Sequence, residues 1–452
     1  MRSFSFPQRL TILLVFGSAS AGLWWHADIT LSLITVLIQL SFLILAVFRI
    51  ILVISSRQVS GVSVEADICV PRYTILAALH DEAEIVPQLV KRLAAIDYPP
   101  DRLQGMLLIE AHDAATLAAA ERCARPDWLC VVIVPPGHPL TKPRALNHGL
   151  LHASGDLLAV YDAEDLPDPG QLREAASRFL IEPESRLACL QAPLRIRRQD
   201  EAKPCSGFLQ RQFAVEYASL FDVTLPGLSR LGLPFPLGGT SNHFRTDVLR
   251  TIGGWDPFNV TEDADLGFRL WRKGWRLGVI TRPTLEAPPD TLEDWLPQRT
   301  RWLKGFMQTW GVHTRSFDGL GFAGLAALTL TIGGTMASAG VHAVAVSWLV
   351  ATVMISAIAG LSPMPPAFAV SVMILGTAAA WLSGKIGALR AGVPYTASDM
   401  VMSPIYWSLL TLAFAHAAWR LIAEPFTWDK TRHRPDPERF EVSSQRAGRQ
   451  VV

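Results

Sequence analysis

Leu157-Leu158-Ala159-Val160-Tyr161-Asp162-Ala163-Glu164-Asp165 decides how the middle of this chain is read. Five apolar residues in a row suit a strand covered on both faces, and the acids arrive where the strand runs out. The same figure stands upstream. Tyr73 to Leu79 is a short apolar strand followed by Asp81-Glu82-Ala83-Glu84 and a helix through Ala95. Met106 to Ile109 ends in Glu110-Ala111-His112-Asp113 before another helix, and Trp128 to Val134 is a further strand. Strands alternating with helices predict an α/β domain with a mostly parallel sheet and right-handed crossovers. Ligands of such sheets bind beyond the carboxyl ends of the strands. Glu82, Asp113, Asp162, Glu164 and Asp165 gather there, so a site made of several loops is expected.

Carboxylates two apart at a strand end can chelate one hard cation. Mg²⁺ or Mn²⁺ typically binds through one or two carboxylates plus substrate phosphates, and such an ion neutralises charge on a leaving diphosphate. The acids equally suit a helix start, since Pro167 and Pro169 follow. Just upstream, Lys142-Pro143-Arg144 carries cations that either steady a phosphate or flank a solvated helix. There is no Gly-x-x-x-x-Gly-Lys-Ser loop, no Gly-x-Gly-x-x-Gly fingerprint and no His/Cys zinc spacing.

Downstream, Gly238-Gly239-Thr240-Ser241-Asn242-His243, Thr261-Glu262-Asp263 and Gln298-Arg299-Thr300-Arg301-Trp302 follow in order. Thr261 reads as an N-cap, with Glu262 and Asp263 in a first turn whose dipole favours negative charge. Leu266, Leu270 and Trp271 give that helix an apolar stripe that pins it to a core. An acid on so rigid a mount suits a general base. Each piece also has a plainer reading: dipole acids, an interfacial Arg/Trp anchor, a glycine turn.

Half of the 452 residues are apolar and only 18% are charged, with a net charge of +1. No basic stripe interleaved with aromatics indicates nucleic acid. Cys69, Cys123, Cys130, Cys189 and Cys205 all lie in the polar middle without Cys-x-x-Cys spacing, which suits a reduced cytosolic compartment.

Leu10 to Trp25 and Ile29 to Phe48 are each long enough, or nearly so, to cross a bilayer core of roughly 30 Å. Arg2, Arg9, Arg49 and Arg57 flank the pair while the link between them carries only Asp28, which places the middle domain in the cytoplasm. Gly319 to Gly384 contains no Asp, Glu, Lys or Arg. At about 1.5 Å per residue that is roughly 100 Å of helix, or three passes. They are expected near 320–339, 342–361 and 367–384, broken at Gly340 and Ser362-Pro363-Met364-Pro365-Pro366. Met400 to Trp419 is a fourth apolar stretch. Six passes would leave Lys385 and Arg390 outside, against the positive-inside tendency, so the last stretch either crosses or lies along the interface. The domains expected are thus 1–54, two transmembrane helices; 55–315, the cytosolic domain; 316–425, three to four membrane helices; and 426–452, a cytosolic tail.

Taken in order, these motifs resemble those of the membrane-embedded glycosyltransferases of family 2, which include cellulose and hyaluronan synthases. The resemblance runs from Tyr73 to Trp310. It implies a GT-A-type domain inserted between membrane helices, in a bacterial cytoplasmic membrane, that inverts the anomeric carbon of a nucleotide-sugar, a UDP-hexose, with Mg²⁺ or Mn²⁺. Carried over by position, Asp263 beside Glu262 would take the proton from the acceptor hydroxyl. Glu82 and Asp113 would face the nucleoside, and Lys142, Asp162 and Arg301 the donor diphosphate. Asp162, Glu164 and Asp165 would hold the metal. Gly239, Thr240, Gln298 and Trp302 would meet the acceptor. The implied partners are a polysaccharide or lipid-linked acceptor, membrane lipid and accessory export subunits, with no nucleic acid. His112 departs from the usual acid, and Glu164 replaces the usual second Asp. Phe426-Thr427-Trp428-Asp429-Lys430-Thr431 is faintly similar to a cellulose synthase gating segment. The alternatives are transfer of one sugar to a lipid carrier, or an inactive membrane transport or scaffold protein. The intact Asp162, Asp263 and Arg301 argue against the last.

Overall fold

The computed structural model describes residues 5–57, 70–181, 186–197, 207–359, 367–424 and 435. The expected break at Ser362–Pro366, the gating-like segment and nearly all of the tail lie outside these residues. Two helices come first, α1 (Phe6–Trp25) and α2 (Ala27–Ser55). The sheet then begins as β1 (Tyr73–Leu79), α3 (Val86–Ala94), β2 (Leu103–Glu110), α4 (Ala114–Arg122), β3 (Leu129–Val134), α5 (Lys142–His152) and β4 (Leu157–Tyr161). These four strands are parallel, with Tyr73 level with both Leu103 and Leu157. In β1, β2 and β4 the apolar runs are covered on both faces, and Ile75, Leu76, Leu107 and Leu158 are fully buried, while edge strand β3 leaves Cys130 and Ile133 exposed.

The second half is less regular. It runs β5 (Leu166–Pro167), α6 (Gln171–Ile181), β6 (Leu187–Gln191), β7 (Leu194–Ile196), α7 (Phe208–Ser219) and α8 (Leu225–Arg230). Then come β8 (Asn242–Arg245), α9 (Thr246–Thr251), α10 (Glu262–Arg272), β9 (Arg276–Val279), β10 (Thr284–Glu286) and α11 (Leu292–His313). The main sheet has the order β3-β2-β1-β4-β8-β6-β9, with β8 antiparallel to its neighbours, and β5-β10-β7 form a small second sheet. The mostly parallel α/β domain is as expected; β8 is not. Asn242 and His243 follow the Gly-Gly-Thr-Ser stretch and carry no strand expectation, yet both are central strand residues with almost no exposure. Their polarity is met inside the protein. Asn242 donates to Gln191 at 2.5 Å, and His243 bonds Tyr73 Oη at 2.6 Å.

The chain closes with α12 (Gly321–Leu328), α13 (Gly334–Ala359), α14 (Ala367–Ala391) and α15 (Ala397–Ala423). Among the described residues four helices are long and apolar enough to cross a membrane: α2, the continuous Gly321–Ala359 rod, α14 and α15. Three expectations are corrected here. First, α1 is not one of the four; Gln8 and Arg9 stand in its opening turns and Ser18 and Ser20 dilute its middle. Second, the expected pair of passes at 320–339 and 342–361 is one helix, with a π-turn at Thr329–Gly333 and no break at Gly340. Gly340 instead lets Phe414 of α15 approach, since a Cβ there would lie 3.1 Å from that ring.

Third, one pass fewer between the domain and Arg390 brings that residue back to the domain. Its guanidinium donates to Ser56 Oγ at 3.0 Å and to the Asp222 carbonyl at 2.6 Å. That removes the conflict with the charge rule. Helix α15 is laid along the domain from end to end. Asp399 pairs with Arg211 at 2.8 Å, Tyr406 meets Arg299 and Glu216, His416 meets Thr300 at 3.1 Å, and the Glu424 carbonyl accepts from Lys304 at 3.3 Å.

Candidate active site

Four loops and two helices meet above the carboxyl ends of β1, β2 and β4. The loop after β4 is stiff. Asp165 Oδ2 accepts the Asp162 amide at 2.8 Å and also the Thr240 hydroxyl, while Arg92 of α3 holds the Glu164 carbonyl at 2.9 Å. Asp165 is wholly enclosed and Thr240 is 2% exposed. Asp165 braces the loop through Oδ2, while its Oδ1 makes no hydrogen bond within the protein, and the Thr240 hydroxyl is taken up by that brace. Burial, with the charges of Asp162 and Glu164, holds the Asp165 carboxyl well above the usual range.

Asp162 is half-buried and ion-paired to Lys142 at the start of α5, and Lys142 Nζ also donates to the Gly239 carbonyl at 2.7 Å. Burial alone would favour the neutral amine; the charges of Asp162 and Glu262 outweigh it and keep the ammonium. A Cβ on Gly239 would stand 3.4 Å from Asp263 Oδ2, so the glycine loop and the base candidate are neighbours.

Helix α10 carries Glu262 and Asp263 in its first turn. Thr261 occupies the cap position, but its side chain caps nothing; Asn259 Oδ1 instead accepts the Thr261 amide at 3.0 Å. Burial is the main cause that raises both acids, Asp263 to about 6 and Glu262 to about 8, and the charge of Asp263 adds to the rise at Glu262. Lys142 and Arg301 pull both back. An acid titrating near neutrality is suited to take and release a proton. Two turns of α10 are locked by a group the sequence reading missed: buried Asp265 bonds His313 Nε2 at 3.0 Å and Arg269 Nε at 2.7 Å.

Helix α11 brings Gln298, Arg301 and Trp302 to the same place. It can do so because Gly305 has no side chain; a Cβ there would lie 2.3 Å from Thr261. Trp302 is half-buried, its ring 6.4 Å from Phe213 and 6.0 Å from Tyr217. The Gln298 amide oxygen is enclosed and makes no hydrogen bond within the protein.

At the β1–β2 end, Asp113 caps α4 through Thr116 at 3.1 Å and accepts the Asp81 amide at 2.6 Å. Asp81 adopts φ 51° to point that amide inward, a conformation Asp tolerates. Burial raises the Asp113 carboxyl, but these hydrogen bonds and nearby His80 bring it below the usual value. A cleft of about 250 Å³ lies against Asp81, Glu82, Glu84 and Thr116. Glu82 is 6% exposed at its floor. His80, Asp81 and Asp113 each bring a ligand atom within 4.8 Å of the other two, an acidic group that can bind a metal and that the sequence reading did not single out as one.

The family model described as glycosyl transferase family group 2 matches residues 157–383, half of the chain. The chain belongs to that family. A second model, glycosyl transferase family 2, matches residues 74–229, so this glycosyltransferase is recognised over the whole β1–α8 region as well. It is 27% identical over 250 residues to the cellulose synthase 1 catalytic subunit [UDP-forming] of Komagataeibacter xylinus, covering 54% of this chain and 32% of that protein. It is 26% identical over 242 residues to the beta-monoglucosyldiacylglycerol synthase of a Synechocystis strain, covering 53% of this chain and 48% of that protein. The chain thus spans about half the length, or less, of the curated relatives it matches. Its fold is similar to the mannosyltransferase PcManGT of Pyrobaculum calidifontis, solved in complex with GDP-Man and Mn²⁺. That likeness has a TM-score of 0.55 at 17% identity, over 85% of this chain and 99% of the other.

Proposed function

We propose that this glycosyltransferase moves a hexose from a UDP-sugar to the end of a growing polysaccharide, with inversion at the anomeric carbon. The observation that carries the reading is Asp263, raised to about 6 by burial and standing beside the Gly239 loop with Lys142 and Arg301 close by. Asp263 takes the proton of the acceptor hydroxyl as its oxygen bonds the anomeric carbon; the bond to the diphosphate breaks and UDP leaves. Lys142 and Arg301 supply positive charge towards the leaving group. Glu82 lines the cleft for the nucleoside, and Asp113 stands behind it, holding the Asp81 amide. Asp162 and Glu164, on a braced loop above β4, are a hard oxygen donor set that suits Mg²⁺ or Mn²⁺, and such an ion would neutralise the diphosphate. Trp302 offers a flat apolar face to the acceptor sugar, with the unsatisfied Gln298 oxygen beside it.

A second reading, one sugar to a lipid carrier, is favoured by a different observation. Helix α15 lies on the domain, and α13 presents an apolar face from Val344 to Ile358. The test is the full chain in nanodiscs with radiolabelled UDP-glucose, UDP-N-acetylglucosamine and GDP-mannose, with Mg²⁺, Mn²⁺ or EDTA. A long product from one donor, silenced by EDTA, is expected. A single-sugar lipid product selects the second reading; activity in EDTA removes the role given to Asp162 and Glu164.

A further inference from the structure

Arg299 lies next to the residues that serve transfer and is 4% exposed. Its two terminal nitrogens bind both oxygens of Glu216 on α7, each at 2.8 Å. One of them also donates to Tyr406 Oη on α15 at 3.1 Å. Tyr406 donates in turn to Glu216 at 2.5 Å and accepts from Trp295 Nε1 at 3.3 Å. The guanidinium carbon stands 4.5 Å from the Trp302 ring centre and 4.6 Å from that of Phe213.

Apolar side chains would join three helices equally well, because enclosing an ion pair costs much of what its attraction returns. What the pair adds is orientation. A bidentate fork fixes rotation as well as distance, which a lysine cannot do. Arg299 and Trp302 are three residues apart on one helix face, so the fork also seats the indole.

We propose that Arg299, gripped by Glu216 and Tyr406, is a positioning residue: it sets the Trp302 ring for the acceptor and ties that setting to α15. The acceptor part rests on the reading above.

The test uses the full chain in nanodiscs, as wild type, Arg299→Lys, Glu216→Gln and Tyr406→Phe. Hydroxyl-radical oxidation of Trp302 is read by mass spectrometry against Trp255, which is buried elsewhere at 3% exposure. A severalfold rise at Trp302 with Trp255 unchanged is expected. With the same three radiolabelled donors, the share of sugar transferred should drop relative to sugar released to water, while UDP and GDP affinities hold. A uniform loss of both reactions, or an unchanged Trp302 footprint, overturns the proposal. So does a changed footprint with unchanged partition in active protein. If Arg299→Lys does not fold, Tyr406→Phe, which deletes one hydroxyl, carries the test. If the wild type turns over no donor, the transfer reading fails and the footprint alone judges the clamp.

Discussion

Lys142 is the cation around which the acids of the site are arranged: Asp162 on one side, Glu262 and Asp263 on the other. Its charge lowers the Asp263 pKa, so its loss raises it. With Asp263 as the proposed base, activity should fall as pH drops through about 6. Lys142→Met should therefore move that acid limb to higher pH; a pH–rate profile whose limb stays put or moves down refutes the arrangement. Asp263→Asn should cost roughly 10²–10⁴ in turnover and leave UDP binding by calorimetry intact. Single-residue roles were unevenly legible. Asp162 and Asp263 stand in motifs whose spacing carries chemistry. Arg299 stands inside such a motif only at a position the pattern leaves open, and only the fold brings Glu216 to it.

At the scale of elements, α10 and α11 act as a pair because Gly305 meets Thr261. Gly305→Ala should push them apart, costing about 1–3 kcal/mol of stability by overpacking and most of the activity; a melt and turnover like wild type would refute this. Helix α15 makes a second expectation. Because Asp399, Tyr406, His416 and Glu424 all touch domain helices, its two ends should be on the domain's side. Fluorescent-protein and alkaline-phosphatase fusions after Glu424 should report the same side as the same fusions after Arg315; opposite sides would make α15 a crossing helix. Strands β1 and β4 were legible because two-sided burial writes itself as an apolar run. Strand β8 was not, because Asn242 and His243 find polar partners indoors. Gly340 misled in the opposite way: it marks a close helix contact and was read as a break.

For the whole molecule, the sheet, the order of motifs and the flanking apolar blocks were legible, and the number of crossings was not. Apolar length alone cannot separate a helix that spans lipid from one that covers a domain, and α15 makes contacts of both kinds, to Arg211, Arg299 and Lys304 of the domain and to Gly340 and Ala343 of α13. The Gly321–Ala359 rod then acquires a meaning of its own. Its 39 residues, at about 1.5 Å each, reach roughly 58 Å, nearly twice a hydrocarbon core of about 30 Å. The inner part is wedged beneath Phe268 and Trp271 of α10, and the outer part presents its apolar side chains outward. One continuous helix thus joins the packing around α10, which carries Asp263, to an apolar surface of the kind that meets lipid. Read as a spanning helix, it would fix the depth at which an acceptor has to present its hydroxyl.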